Sequence, residues 1–212
     1  MREYLLSRLF VTWMGATLTL AFTPGCSPSE LPSAIGSSSG DDFRGDPAAR
    51  LMGLRTALDL NQSYAVATNI DPNVNTNVGA MFTIVQPNLP AAGGAESNVV
   101  ILQSATDLAG RYASAFVDKE AATDISDRLA MPVDFSTGFS SGGTDLLPDG
   151  LMTALAKKIV FRFTGEAATA AEIQALKDAM KEFRTLLPNS PDGKRQMLVL
   201  IATIVLASHH WY

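Results

Sequence analysis

The sequence is poor in the residues on which most chemistry depends. Its 212 residues include one cysteine and two histidines. A single cysteine excludes an intramolecular disulfide and any multi-cysteine zinc or iron–sulfur site. No Cys-x-x-Cys-His run occurs, so the chain carries no covalent c-type haem attachment of its own. Charge is sparse too: 17% of residues are charged, and 16 Lys and Arg stand against 21 Asp and Glu, a net charge of −5. Without a basic run, nucleic acid is not an expected partner, because phosphate contacts need clustered Lys and Arg. What is present is apolar surface. Apolar residues make up 47% of the chain and the mean hydropathy is +0.14. That excludes a wholly disordered chain and allows one domain, or two very small ones, with appendages.

The N-terminus reads as an export signal. Arg2 and Arg8 against Glu3 make a mildly basic start, and Leu9–Phe22 is an uncharged apolar run of 14 residues. A secretory signal has this order, with an apolar stretch of about 7–15 residues before a small-residue cleavage site. The run is shorter than the roughly 20 residues that span a bilayer. Thr23-Pro24-Gly25-Cys26 follows, and it resembles a bacterial lipobox. The resemblance implies that Cys26 becomes the lipidated first residue of the mature chain. Gly25 meets the small-residue requirement, whereas Thr23 and Pro24 depart from the usual Leu and Ala or Ser. Ordinary cleavage near Gly25 and an uncleaved anchor are the alternatives. Lipidation also accounts for a lone cysteine that would otherwise be an exposed thiol in an oxidising compartment. Ser27 in place of Asp resembles Gram-negative lipoproteins sorted to the outer membrane, leaving the domain in the periplasm or at the cell surface. Three acyl chains exceed the two signals that stable anchoring needs. Loss of residues 1–25 removes Arg2, Arg8 and Glu3 and takes the charge from −5 to −6.

Residues 26–42 are rich in Ser, Pro and Gly and predict a flexible tether. Residues 43–212 read as a helical domain, with possible halves at 43–131 and 146–212 joined by a Ser/Gly-rich loop. Asp46-Pro47 is a helix-start signal, and Leu51, Leu54 and Leu58 recur on one face beyond it. Glu96–Phe116 is a long amphipathic stretch with Val99, Leu102, Ala105, Ala109, Tyr112 and Phe116 in register, and Asp107 and Arg111 four apart. Leu151, Leu155, Ile159 and Phe163 mark another helix that stops at Gly165. Thr169 with Glu172 spells a capping box ahead of Ile173, Leu176, Met180, Phe183 and Leu187. Ser190-Pro191 opens the last helix, whose run Met197–Ala207 is apolar almost all round and so belongs in a core. No strand alternation stands out. The fold class expected is all-α: an irregular bundle of about 5–7 helices.

Three sets of residues could carry chemistry. Gly138-Phe139-Ser140-Ser141-Gly142 matches Gly-x-Ser-x-Gly, in which a strand-to-helix turn exposes a nucleophilic serine ahead of a histidine. Ser140 with His209 or His210 is therefore a weak catalytic candidate, set against a simple Ser/Gly connector. Asp71, Asn73 and Asn75 alternate like the start of a calcium loop. Thr76 stands where that loop needs Gly, and Phe82 where it needs Glu. Turn and cap formation explains the three more simply. Adjacent histidines on a helix diverge by about 100°, so His209 and His210 do not chelate one ion easily. Lys157, Lys158 and Arg162 are the densest basic group and read as a solvated helix face. No cofactor or metal is expected.

Two stretches resemble known groups. Ala156–Glu172, the helix to Leu187 and the ending LVLIATIVLASHHWY are similar to helical modules of unknown function found beside planctomycete-type cytochrome c domains. Thr169, Glu172, Ser208, His210 and Trp211 stand at matching places, while the usual Arg-Pro before the turn is absent. His209 replaces the expected proline. Asn69–Val117 resembles short exported proteobacterial proteins with an Asp-Pro turn, here Asp71-Pro72, and a Leu-Pro turn, here Leu89-Pro90. The cysteine usual near the end of their helix is replaced by Ser114-Ala115-Phe116. Neither group carries an activity to transfer. The expectation is a non-enzymatic outer-membrane lipoprotein whose helical domain binds a partner in the cell envelope. An accessory subunit of an envelope redox complex and a small serine hydrolase using Ser140 are the alternatives.

Overall fold

The computed structural model describes residues 55–91, 98–141, 144–145 and 147–209, which all fall in one unit. Cys26, the signal and tether, the Asp46-Pro47 helix start, and His210 lie outside the described residues. Six α-helices account for most of what is described: α1 (Ala57–Thr68), α2 (Thr76–Val85), α3 (Val99–Ala122), α4 (Asp149–Thr164), α5 (Ala170–Leu186) and α6 (Pro191–His209). A 3-10 turn, Gln86–Asn88, follows α2, and Ser140–Ser141 pairs antiparallel with Thr144–Asp145 as a two-residue ladder. The chain is all-α.

Most helix ends are set by local chemistry. The side chains of Thr56, Asn75, Asn98 and Thr169 each accept a backbone amide at the start of a helix. At Thr169 the capping box is complete, with the Glu172 carboxylate accepting the Thr169 amide at 2.7 Å. The Ser190 hydroxyl accepts the Gly193 amide at the start of α6. Gly165 ends α4 with φ at +75°, a left-handed conformation that glycine adopts without a Cβ penalty.

The two sequence halves share a core. α3 packs most extensively on α6, whose Met197, Leu198, Ile201, Ala202 and Leu206 are fully buried, as its nearly continuous apolar run requires. No described helix is long and apolar enough to cross a membrane. From α3, Phe116 meets Phe163 of α4 edge-on at 5.1 Å, and Tyr112 meets Tyr64 of α1 at 5.8 Å. The Tyr112 hydroxyl donates to the Asn61 side-chain oxygen at 2.7 Å. Burial pushes the pKa of both tyrosines up. Asp149 on α4 and Lys177 on α5 form an ion pair at 2.7 Å, and Arg195 on α6 pairs with Asp118 on α3.

Three expectations are displaced in detail. Leu58 is 65% exposed, because α1 turns Ala57, Leu60, Tyr64 and Ala67 toward the core instead. Val99 and Leu102 also face outward, so the buried stripe of α3 starts one turn later, at Ser104 and Ala105. Asp107 accepts from Gln103 at 2.8 Å, and no ion pair joins it to Arg111 among the described residues.

The segment between α3 and α4 is irregular but anchored by two buried charges. Glu120 accepts the amides of Leu129, Ala130 and Met131 at 3.1, 2.9 and 2.9 Å. Lys194 donates to the Asp134 carbonyl at 2.8 Å and to the Thr137 hydroxyl at 2.9 Å. Burial pushes the Lys194 ammonium below its ordinary value of 10.5, and the Asp134 charge opposes the shift. Both side chains are spent on holding the loop.

Candidate ligand cleft

One face of α1, from Asp59 to Ala67, and the last turn of α4 leave a cleft of about 660 Å³ between them. That volume lies within the range of about 300–1,000 Å³ common for small-molecule sites. The cleft takes its shape from where the two helices stop packing. Ala67 of α1 and Phe163 of α4 reach its floor from the core, and Val66 stands exposed on its wall. Arg55, Asp59, Gln62 and Ser63 enter from the α1 side, and Arg162 enters from α4.

The polar groups differ in how they are engaged. Arg55 donates from Nη1 to the Ser63 hydroxyl at 2.6 Å. Asp59 accepts the Thr56 hydroxyl at 2.7 Å, which ties its carboxylate to the helix start. Arg162 differs from both. Its Nε is withdrawn from solvent, and no described residue accepts a hydrogen bond from it. A buried donor without an acceptor carries a desolvation cost of about 1–3 kcal/mol. The expectation that Arg162 merely solvates its helix therefore gives way. The side chain is half-buried and lines the cleft.

Ser63 receives a hydrogen bond from the Arg55 guanidinium, whose nitrogens offer donors and no acceptor to the serine proton. Compared with protein families, characterised proteins and solved structures, the chain matches none.

The structure separates the candidates read from the sequence. Ser140 lies on the two-residue ladder, so a hairpin and not a strand-to-helix turn follows it. Its hydroxyl meets the Asn189 amide nitrogen at 3.2 Å, a group that donates a proton and accepts none. The first glycine of the Gly-x-Ser-x-Gly run has a packing role. A Cβ on Gly138 would stand 2.5 Å from Asn189 Oδ1 and 3.1 Å from the Asn189 carbonyl carbon. His209 closes α6, and its side chain, like all of His210, lies outside the described residues.

Asp71, Asn73 and Asn75 build a turn and a cap. Asp71 Oδ1 accepts the Asn73 amide at 2.8 Å and its Nδ2 at 3.0 Å, and Asn75 accepts the Val78 amide at the start of α2. Among the described residues no three His, Cys, Asp or Glu side chains converge.

Arg55, Ser63 and Arg162 were not singled out as a site from the sequence. Only the packing of α1 against α4 brings them together.

Proposed function

We propose that the chain is a lipid-anchored protein of a bacterial outer membrane that presents a helical, non-enzymatic binding module in the cell envelope. The basic start, the apolar run Leu9–Phe22 and the lipobox-like Thr23–Cys26 support the anchor. The Ser/Pro/Gly-rich stretch 26–42 supports a spacer between lipid and domain. One structural observation carries the binding role: an open cleft lined by an arginine whose Nε has no acceptor among the described residues. Membrane tethering raises the local concentration of the module, so modest affinity suffices for an envelope partner.

Two measurements test this reading. Intact-mass analysis of the membrane fraction should give a chain beginning at a tri-acylated Cys26, and Cys26→Ser should release the protein from membranes. An unmodified precursor, or a soluble mature chain, removes the anchor. A photo-cross-linking side chain at exposed Val66, on the cleft wall, should then capture one reproducible partner in intact cells. The same group at exposed Ile84, on α2, should not. Equal capture from both positions removes the cleft as the binding face.

A further inference from the structure

We infer that the cleft between α1 and α4 is a site for a small organic carboxylate bearing an apolar group, with Arg162 as the residue that recognises its charge. The inference rests on the reading of this cleft as the binding face and names the ligand chemistry.

Three properties of the lining carry it. Arg162 is the first. Its Nε is closed to solvent and has no acceptor among the described residues, while the side chain lines a cavity large enough for a ligand. A guanidinium presents its Nε and one Nη as a planar fork that matches the two oxygens of a carboxylate. Rotation of the last side-chain torsions brings that edge into the cleft, where an incoming carboxylate supplies the missing acceptor. The groups already spoken for do not compete, because Asp59 is tied to Thr56.

Formal charge is the second property. The lining holds two guanidinium groups, Arg55 and Arg162, and one carboxylate, Asp59. Arg162 is the guanidinium there whose Nε has no acceptor among the described residues, and a monoanion matches its single charge. A phosphate dianion would bring a second negative charge beside Asp59, and the terminal carbonyls of α4, the negative end of that helix, oppose a dianion more strongly than a monoanion.

The third property is the rest of the wall. Val66 is 71% exposed although it lines a concave surface, and Ala67 and Phe163 lie behind it. An apolar group on the ligand covers Val66 and gains burial at about 25 cal/mol per Å². A bare anion gains nothing from that wall.

The test is calorimetric titration of the full chain in phosphatidylcholine nanodiscs, referenced to empty nanodiscs. The probes are 4-phenylbutyrate, the neutral 4-phenylbutanol and inorganic phosphate. The expected result is saturable one-to-one binding of phenylbutyrate, with the alcohol and phosphate each at least tenfold weaker. Arg162→Gln should weaken phenylbutyrate about ten- to a hundredfold, the usual effect of losing a charge-assisted pair. Arg162→Lys, which keeps the charge but not the fork, should fall between the two. Lys158→Gln, one turn earlier on the same helix, should change affinity less than twofold.

Equal binding of phosphate, equal binding of the alcohol, or an unchanged affinity in both Arg162 variants overturns the inference. So does a loss in Lys158→Gln as large as that in Arg162→Gln, which would make the effect a general surface charge. If Arg162→Gln loses helicity by circular dichroism, the Arg162→Lys comparison decides. Capture of a partner at Val66 without phenylbutyrate binding leaves the binding module standing and removes only this ligand class.

Discussion

Asn189 holds Ser140 by its backbone from both sides. Its side-chain oxygen accepts the Ser140 amide at 3.1 Å, and its Nδ2 donates back to the Ser140 carbonyl at 3.1 Å. The same oxygen accepts the Phe139 amide at 2.6 Å. One amide side chain, in the turn between α5 and α6, thus fixes a loop about fifty positions earlier in the chain. Phe139, 3% exposed, is pulled into the core as a result.

Asn189→Ala should therefore destabilise the domain by about 1–2 kcal/mol, since it removes one acceptor shared by two amides, and one donor, from a partly buried segment. Asn189→Asp keeps the acceptor for both amides but turns a carboxylate oxygen toward the Ser140 carbonyl in place of the donor, so it should recover only part of the loss. Thermal unfolding ranks the two. Hydrogen exchange at the Phe139 and Ser140 amides should accelerate in Asn189→Ala and stay slow in Asn189→Asp. Equal exchange in both variants would show that the ladder and not Asn189 protects the loop.

Glu120 is the second long-range anchor. Two of the three amides it accepts, those of Ala130 and Met131, belong to buried residues. Glu120→Ala leaves these donors without a partner and should cost about 3 kcal/mol. Glu120→Gln retains one acceptor oxygen and should recover at least half of that loss. Urea unfolding measures both. If the Ala variant is as stable as wild type, the loop is held by Arg128 instead, which donates to the Thr123 carbonyl at 2.9 Å and stacks over Phe135 at 4.8 Å.

What the sequence revealed and what it hid follow from the range of the interactions. The capping box at Thr169 and Glu172 lies within four residues, so its chemistry is complete in the local sequence. Leu155, Ile159 and Phe163 were legible for a similar reason, because α4 buries one full face. Leu58 misled because its spacing from Leu51 and Leu54 suggested a stripe, whereas the contact of α1 with α3 selects Leu60 and Tyr64. Val78–Val85 is too short and too apolar for its periodicity to tell helix from strand; the Asn75 cap makes it helical. The cleft was hidden altogether. Arg55 and Arg162 are more than a hundred positions apart, and nothing local marks either as half of a site.

Acid should weaken the domain through two carboxylates. The Ser136 hydroxyl, and after it the Ser136 amide, hold the Asp134 carboxyl below its ordinary 3.8. A hydrogen bond from the Lys177 ammonium does the same for Asp149. As the pH falls, the unfolded chain takes up these protons first, so the folded state loses ground. The stabilisation is fully present above the ordinary carboxylate value and is lost as the pH drops through the lowered values. Urea unfolding between pH 6 and pH 2.5 should show stability nearly flat above about pH 5 and falling below about pH 4. Asp134→Asn and Asp149→Asn should each give a shallower fall, with their deficit against wild type largest near neutrality and shrinking in acid. A deficit that grows as the pH falls would reverse the sign and refute the assignment.

The capping box allows a sharper measurement, because its three bonds join the same two residues. Thr169 Oγ1 accepts the Glu172 amide at 3.2 Å, while the Glu172 carboxylate accepts both the Thr169 amide and its hydroxyl at 2.7 Å. Thr169→Ala should cost about 1 kcal/mol, in the usual range for loss of an N-cap oxygen. Glu172→Ala should cost somewhat less, since water reaches the exposed Thr169 amide. The hydroxyl-to-carboxylate bond disappears in either single variant. The double variant should therefore lose less than the sum of the two, leaving a coupling of about 0.5 kcal/mol or more in a double-mutant cycle. Strict additivity would mean that the two halves of the box act independently and that the side-chain bond between them contributes nothing to α5.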